Sequence, residues 1–325
     1  MKVRELWRQR QRYDRRALLR IAGTKSVRGA TGLLSYLYLI GISFVILYPI
    51  LYMLSMAFRP SEQVNDLNVV WIPTRLTLDN IVGVWQNFDF GTLLKNSAML
   101  SLGCALLSVV SCCVIGYGFA RFRFPGKTLL LILLVLTLIL PMQIVSIPNF
   151  LMFSDFDPLG LVSLVRVISG LHIRINIFDN PLNCYLPAAM GVGLKNGLYI
   201  LIFMQFFKGL PKEIEEAAYV DGAGYFTTMV RIILPMAKPS IITVILFEFL
   251  AYWNEYIISM TMLTDPNGAR TLPVGLLNLM KAQNAKAEYG QMYAGMVMVM
   301  VPTLILYMCV QKKLTQGMTI GGIKG

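Results

Sequence analysis

A single histidine, His172, in a chain of 325 residues leaves little scope for side-chain catalysis. Nucleophilic catalysis needs a base beside the nucleophile, and His172 reads as a loop histidine. One histidine also cannot build a histidine-rich metal site. The five cysteines, Cys104, Cys112, Cys113, Cys184 and Cys309, show no metal or redox spacing. Four of them lie inside apolar stretches, which marks them as apolar fillers. Gly126-Lys127-Thr128 resembles the end of a phosphate-binding loop, but Arg121 stands where the first glycine is required and no strand precedes it. The remaining chemistry-bearing pattern is a pair of carboxylates, Glu248 and Glu255, with Trp253 and Asn254 between them. If one helix carries both, seven residues is about two turns, and the two acids share a face. Acids at membrane depth are costly and face a cavity or a partner. We therefore read Glu248, Trp253, Asn254 and Glu255 as a polar face toward a translocation path, with helix packing as the alternative for Asn254 and Glu255. No enzyme chemistry is expected of this chain.

Positioning such residues requires elements that suit an apolar medium. The chain is 56% hydrophobic and 14% charged, with mean hydropathy +0.62. A soluble domain runs at about 45–50% apolar and about 25% charged. The expectation is an all-α membrane protein, because a spanning backbone must satisfy its own polar groups. Residues 33–58 form the first apolar run; Tyr48, Pro49 and Tyr52 near its end, with no small-residue cleavage site, make it an uncleaved span. Five more spans are expected near 97–119, 128–150, 186–207, 240–262 and 290–310, each long enough for the roughly 30 Å hydrocarbon layer.

Charge orients these spans. Twenty of the 29 Lys and Arg residues fall in residues 1–32, 120–127, 208–239 and the tail 312–325. The positive-inside bias places these four segments in the cytoplasm, both termini included. The same bias accounts for the net charge of +12 without a nucleic-acid partner. The organisation is then a basic cytoplasmic N-terminus 1–32, a first span 33–58, an outer loop 59–95, a five-helix core 96–311 containing the inner loop 208–239, and the tail 312–325. The outer segments 151–185 and 263–289 are long, and Asp265-Pro266-Asn267-Gly268 is a turn signal.

The inner loop carries the most specific pattern. Residues 216–235 contain Glu216-Ala217-Ala218, three residues, Gly222, nine residues, then Ile232-Ile233-Leu234-Pro235. Lys212 to Val220 is rich in helix formers, and Pro211 suits a helix start. Gly222 allows a sharp turn into a second short helix, which Pro235 ends. Ala217 and Ala218 offer a small face for close approach, and Glu216 and Asp221 offer charges to a partner or to local caps. Ala223 continues the turn.

This segment resembles the coupling loop of the membrane subunits of ABC importers. Further matches to the carbohydrate-type permeases cover roughly residues 90–325. They are Asn96-Ser97, expected to open the second span, Ala120 to Lys127, Trp253-Asn254-Glu255, Thr264-Asp265-Pro266, Thr271 to Leu276, and Gly317 to Gly325. The stretch 165–184 is longer than that family usually has, which leaves the fourth span's placement open. The resemblance implies a type I importer permease fold with six spans, in the inner membrane of a bacterial cell. It implies that Glu216, Ala217, Ala218, Asp221, Gly222 and Ala223 dock on a cytoplasmic ABC ATPase dimer. ATP and Mg would be bound by that ATPase, with no cofactor in this chain. It further implies a second homologous permease subunit, an external solute-binding protein that the loop 263–289 reaches as a finger, and uptake of sugars or oligosaccharides. A non-sugar solute is the alternative within the class, and a secondary transporter the alternative outside it.

Overall fold

The computed structural model describes residues 31–64, 72–157, 160–170, 174–264, 268–282 and 289–322. His172, the basic segment up to residue 30 and the turn 265–267 lie outside the described residues, as do 283–288 and the last three residues. Among the described residues there is no strand. The first helix, α1, runs Thr31–Ala57. It stands clear of the rest along most of its length and joins the core only near its end, through Met53, Leu54 and Ala57.

A short helix, α2 (Asp79–Asn87), leads into α3 (Phe90–Arg121), the axis of the molecule. α3 starts at Phe90, so Asn96-Ser97 lies inside it rather than at its opening. The Asn96 amide donates to the carbonyls of Gly268 (3.1 Å) and Arg270 (3.0 Å), and Ser97 Oγ accepts from the Leu272 N–H at 2.7 Å. These bonds tie α3 to the segment that follows residue 267. Next come α4 (Lys127–Ile139) and α5 (Met142–Ser154). They replace the expected straight span 128–150 by a pair bent through 106°. Leu140 precedes Pro141, and a residue before proline is pushed out of the helical region; its ψ is 120°.

The stretch longer than the family pattern forms α6 (Leu161–Ser169), an extended run stitched to α5 by Phe156 N–H to Ile175 O (2.8 Å) and Ile177 N–H to Phe153 O (3.1 Å), and the start of α7 (Leu182–Ala189). α8 covers Asn196–Gly209. The expected span 186–207 is thus divided. Pro187 lies within α7, and Gly191 and Lys195 turn the chain with φ of +76° and +57°. α8 packs closely on α3: a Cβ at Gly116 would sit 2.7 Å from Phe203 Cβ and 3.0 Å from Ile200 O. Small residues at such crossings let membrane helices approach.

After α8 come α9 (Glu213–Val220), α10 (Tyr225–Thr228), a π-turn Met229–Ile233 and α11 (Leu234–Met236). Pro235 therefore sits inside this second arm, which ends at Ala237. α12 (Lys238–Trp253) follows at 76° to the stretch before it, and α13 (Ile257–Met262) begins after a break. α14 (Leu272–Ala282) packs into the core through Leu272 and Leu279, and α15 (Tyr289–Gly322) closes the bundle. Within the expected outer loop 263–289, residues 272–282 form a helix packed on the core through Leu272, Leu276 and Leu279, while 283–288 lie outside the described residues.

Among the described residues three helices are long and apolar enough to cross a membrane unbroken: α1, α3 and the Tyr289–Gln311 part of α15. The two bent pairs, α4 with α5 and residues 225–236 with α12, bring the count to five. Of the six spans expected, three are seen as unbroken helices and up to five with the bent pairs, because Pro141, Pro187, Gly191 and Asn254 interrupt the apolar runs.

Candidate functional site

Two regions gather the residues singled out from sequence. The first is the loop around α9. The Glu213, Glu215 and Glu216 side chains crowd its first turn, where the helix dipole favours negative charge. They point in different directions. Glu216 is exposed, as are Ala217 and Asp221. Glu215 is buried and receives Arg121 Nε from the end of α3 at 2.6 Å. Tyr117 donates to its other oxygen at 3.2 Å, and Arg121 Nη2 donates to Leu210 O at 3.1 Å. Ala218 is also buried against its own chain, so only Ala217 of the two alanines offers a small outward face.

Gly222 has φ +83°, with open space where a Cβ would project. The chain turns there because a left-handed residue follows α9: Asp221 and Ala223 N–H groups close on Ala217 O (3.1 Å) and Ala218 O (2.9 Å). This is a helix-ending motif that glycine fits best. Beyond the turn Tyr225 and Phe226 are 64% and 78% exposed, and Val220 before it is 88% exposed. Phe122 packs edge-on against Tyr225 with ring centroids 6.1 Å apart, and Tyr219 meets Tyr225 at 4.9 Å. The result is an apolar, aromatic tip, fixed from behind by a buried ion pair.

The second region is the break between α12 and α13. α12 stops at Trp253, so Glu255 does not share a helical face with Glu248. Its carboxylate caps α13 instead, accepting from the N–H groups of Ile257 (2.8 Å), Ile258 (2.9 Å) and Ser259 (3.2 Å). Glu248 is fully buried and accepts from Ser108 Oγ at 2.6 Å. With its amide nitrogen facing the carboxylate, Asn196 donates to the same Glu248 oxygen at 3.2 Å and accepts from Gly193 N–H at 3.3 Å. Trp253 is buried too, stacked on Phe249 at 5.3 Å, with Nε1 donating to Val299 O at 3.4 Å.

Of the four residues expected on a polar face, then, Glu248 and Trp253 hold helices together. Asn254 and Glu255 line an open cleft of about 620 Å³ together with Gln143, Lys195, Tyr199 and Tyr256 and with apolar side chains such as Leu198 and Phe247. Sequence reasoning did not single out Arg121, Glu215, Ser108 or Asn196 for these roles. No local signal marks the last two, since Ser108 is one of four serines in α3 and Asn196 follows Lys195 in a Gly-flanked turn; for Glu215 none separates it from Glu213 and Glu216. Among the described residues no group of histidine, cysteine and acidic side chains could hold a metal ion.

A bundle of apolar helices, interrupted at a cleft of mixed polar and apolar lining and carrying a braced aromatic loop at one end, is the build of a membrane transport subunit. The chain belongs to the family of binding-protein-dependent transport system inner membrane components, which matches residues 113–320. It is a permease subunit of the ABC importer class and not itself an enzyme. It is 28% identical over 304 residues to the arabinooligosaccharides transport system permease protein AraQ of Halalkalibacterium halodurans, covering 92% of this chain and 99% of that protein. It is 27% identical over 279 residues to the trehalose transport system permease protein SugB of Mycobacterium tuberculosis, covering 86% and 93%. A chain of a bacterial ABC transporter involved in import of the acidic polysaccharide alginate shares its fold, with a TM-score of 0.67 at 20% identity over 86% of this chain and 95% of that one.

Proposed function

We propose that this chain forms one half of the translocation pathway of an ATP-driven importer of oligosaccharides. The α9 loop docks on a cytoplasmic ATPase dimer that binds ATP and Mg, a second homologous permease forms the other half, and an external binding protein delivers the solute. The observation that carries the reading is the loop tip, where Val220, Tyr225 and Phe226 stand exposed while Glu215 is tied to α3. An exposed apolar cluster held in fixed orientation suits a protein groove. Glu216, Ala217, Asp221, Gly222 and Ala223 supply the outward rim and turn, while Ala218 and Glu215 hold the helix to the body. The oligosaccharide class rests on the relatives named above. The cleft at Asn254 and Glu255 faces the pathway, and both termini lie in the cytoplasm with the α9 loop.

The test is uptake of labelled oligosaccharides by cells carrying the chain with its co-expressed partners, together with co-purification of the ATPase. Gly222→Leu is expected to abolish uptake and Glu216→Ala to reduce it. Wild-type uptake and ATPase retention in both variants would overturn the assignment of this loop. Side-specific labelling addresses orientation: a cysteine at position 224 is expected to react with an impermeant reagent only in opened cells.

A further inference from the structure

The nine-residue helix α6 has no role in the mechanism above. Its second half falls in the stretch 165–184, where the sequence departs from the family pattern. Its apolar residues repeat at helical spacing: Leu161, Leu164, Val165 and Ile168 form one stripe. All four are exposed, Ile168 to 76%. The other side carries the buried Val162 with Ser163 and Arg166, Val167 (82% exposed) stands at the margin of the stripe, and the polar groups are fixed. Asp157 accepts from the backbone N–H groups of Val162 (2.7 Å) and Ser163 (3.0 Å), which caps the helix start. Arg166 Nη2 donates to Asp155 Oδ1 at 2.5 Å, which clamps the helix to the end of α5. The helix is thus held in one orientation, with Leu161, Leu164, Val165, Val167 and Ile168 outward and Ser163 and Ser169 at their edges.

We infer that α6 is an interfacial anchor, lying in the headgroup region of the bilayer with its apolar stripe toward the acyl chains. The argument for lipid as the occupant is continuity. α6 follows α5 after six residues, and α5 is itself the far half of a bent membrane element, with Ile144, Ile147 and Leu151 each exposed to 63% or more. A chain leaving the hydrocarbon layer at Ser154 places a helix beginning at Leu161 at the membrane surface. A stripe carrying no charge, on a helix clamped from the other side through Asp157 and Arg166, is the pattern of a helix that lies in the interface. The anchor would hold the outer end of the bent α4–α5 pair, which proline leaves without a continuous helix to fix its depth. This assignment does not rest on the transported solute or on the ATPase.

Spin labels on the full-length chain in phosphatidylethanolamine–phosphatidylglycerol vesicles test it. Only Cys309 needs replacing, since the other four cysteines are buried. Labels at 164 and 168 are expected to be open to oxygen and shielded from a water-soluble nickel complex, at a depth of about 5–10 Å. A label at 163, where the backbone bond to Asp157 survives, is expected to show the reverse. Arg166→Ala is expected to raise label mobility at 168 and to shrink the contrast between the two sides. Equal nickel access on both sides would overturn the anchor. So would exclusion of both probes at 164 and 168, the mark of packing against protein, or a shielding that develops only when a binding protein is added.

Discussion

Removing the guanidinium of Arg121 should release the α9 loop from the body of the subunit. Arg121 and Glu215 side chains are 7% and 8% exposed, and their contact is 2.6 Å. Arg121→Ala leaves a buried carboxylate with Tyr117 as its one remaining side-chain donor, at 3.2 Å. It also strips Leu210 O of its donor. Breaking a buried pair by deleting one partner costs about 3–5 kcal/mol. Much of that charge penalty is relieved if α9 swings out and Glu215 reaches water, so the local opening equilibrium absorbs it. At 1.4 kcal/mol per decade this corresponds to about a hundred-fold to a few thousand-fold more opening. Ala218, buried beside Glu215 on the same helix, is the reporter. In an Ala218→Cys background, thiol labelling should accelerate by that factor in Arg121→Ala. Glu215→Gln keeps a neutral acceptor and should accelerate it less, by about 1–3 kcal/mol in the same measure. The double variant Arg121→Met, Glu215→Leu should recover most of the protection, because a well-packed apolar pair removes both stranded charges. Uptake should fall with the labelling rate. A change under about threefold in Arg121→Ala, well below 1 kcal/mol, would refute the claim that this pair braces the loop.

At Gly222 a side chain meets open space, so the cost of substitution is the left-handed backbone alone, about 1–3 kcal/mol. Gly222→Asn should therefore keep most uptake while Gly222→Leu loses it, and equal loss in both would argue for a steric cause. Glu255→Ala removes the acceptor for three backbone N–H groups and should lower the melting temperature of the purified chain by the equivalent of about 1–2 kcal/mol, with Glu255→Asp milder. Glu248→Ala should leave Ser108 and Asn196 without a buried acceptor and destabilise by about 2–5 kcal/mol, whereas Glu248→Gln should lose less. Gly116→Leu should block the approach of α8 to α3 and abolish assembly, read as loss of the folded chain in the membrane.

The class of fold was legible because its causes are local. Long apolar runs around the chain can only be helices in lipid, and the turn at Gly222 is specified by glycine itself. Breaks in those runs were less legible. Pro141 and Pro187 were readable as helix interruptions, yet hydropathy averages over them, so 128–150 and 186–207 looked continuous. At Asn254 nothing marks the end of α12 except the competition won by Glu255, whose carboxylate starts a new helix rather than extending the old one. The roles of the three glutamates of α9 were illegible for a different reason. Which of them turns inward depends on where Arg121 arrives, and that is set by the length of α3, a property of the tertiary structure. The same holds for Glu248, whose partners Ser108 and Asn196 come from 140 and 52 residues earlier in the chain.

α3 joins these sites into one mechanical unit. Its 32 residues make a rod of about 48 Å at 1.5 Å per residue. Near one end Asn96 and Ser97 bind the segment 268–272; in the middle Ser108 binds Glu248 of α12; at the other end Arg121 binds Glu215 of α9. Each attachment is a directional polar contact, and two more hold α3 to α7: Ser111 Oγ donates to Ala188 O at 2.7 Å and the Tyr185 hydroxyl donates to Met99 O at 3.1 Å. On the proposed function, a displacement imposed on α9 would pass to α3 through the Arg121–Glu215 ion pair. It would reach α12 through the Ser108–Glu248 bond, a short distance from the break that shapes the cleft. The bond at Ser108 is the informative one to cut. Ser108→Ala leaves both ends of α3 attached, so it should preserve ATPase binding and the protection of Ala218 while lowering uptake per ATP hydrolysed. If that ratio is unchanged, the cleft is moved by another route and the rod is only a scaffold.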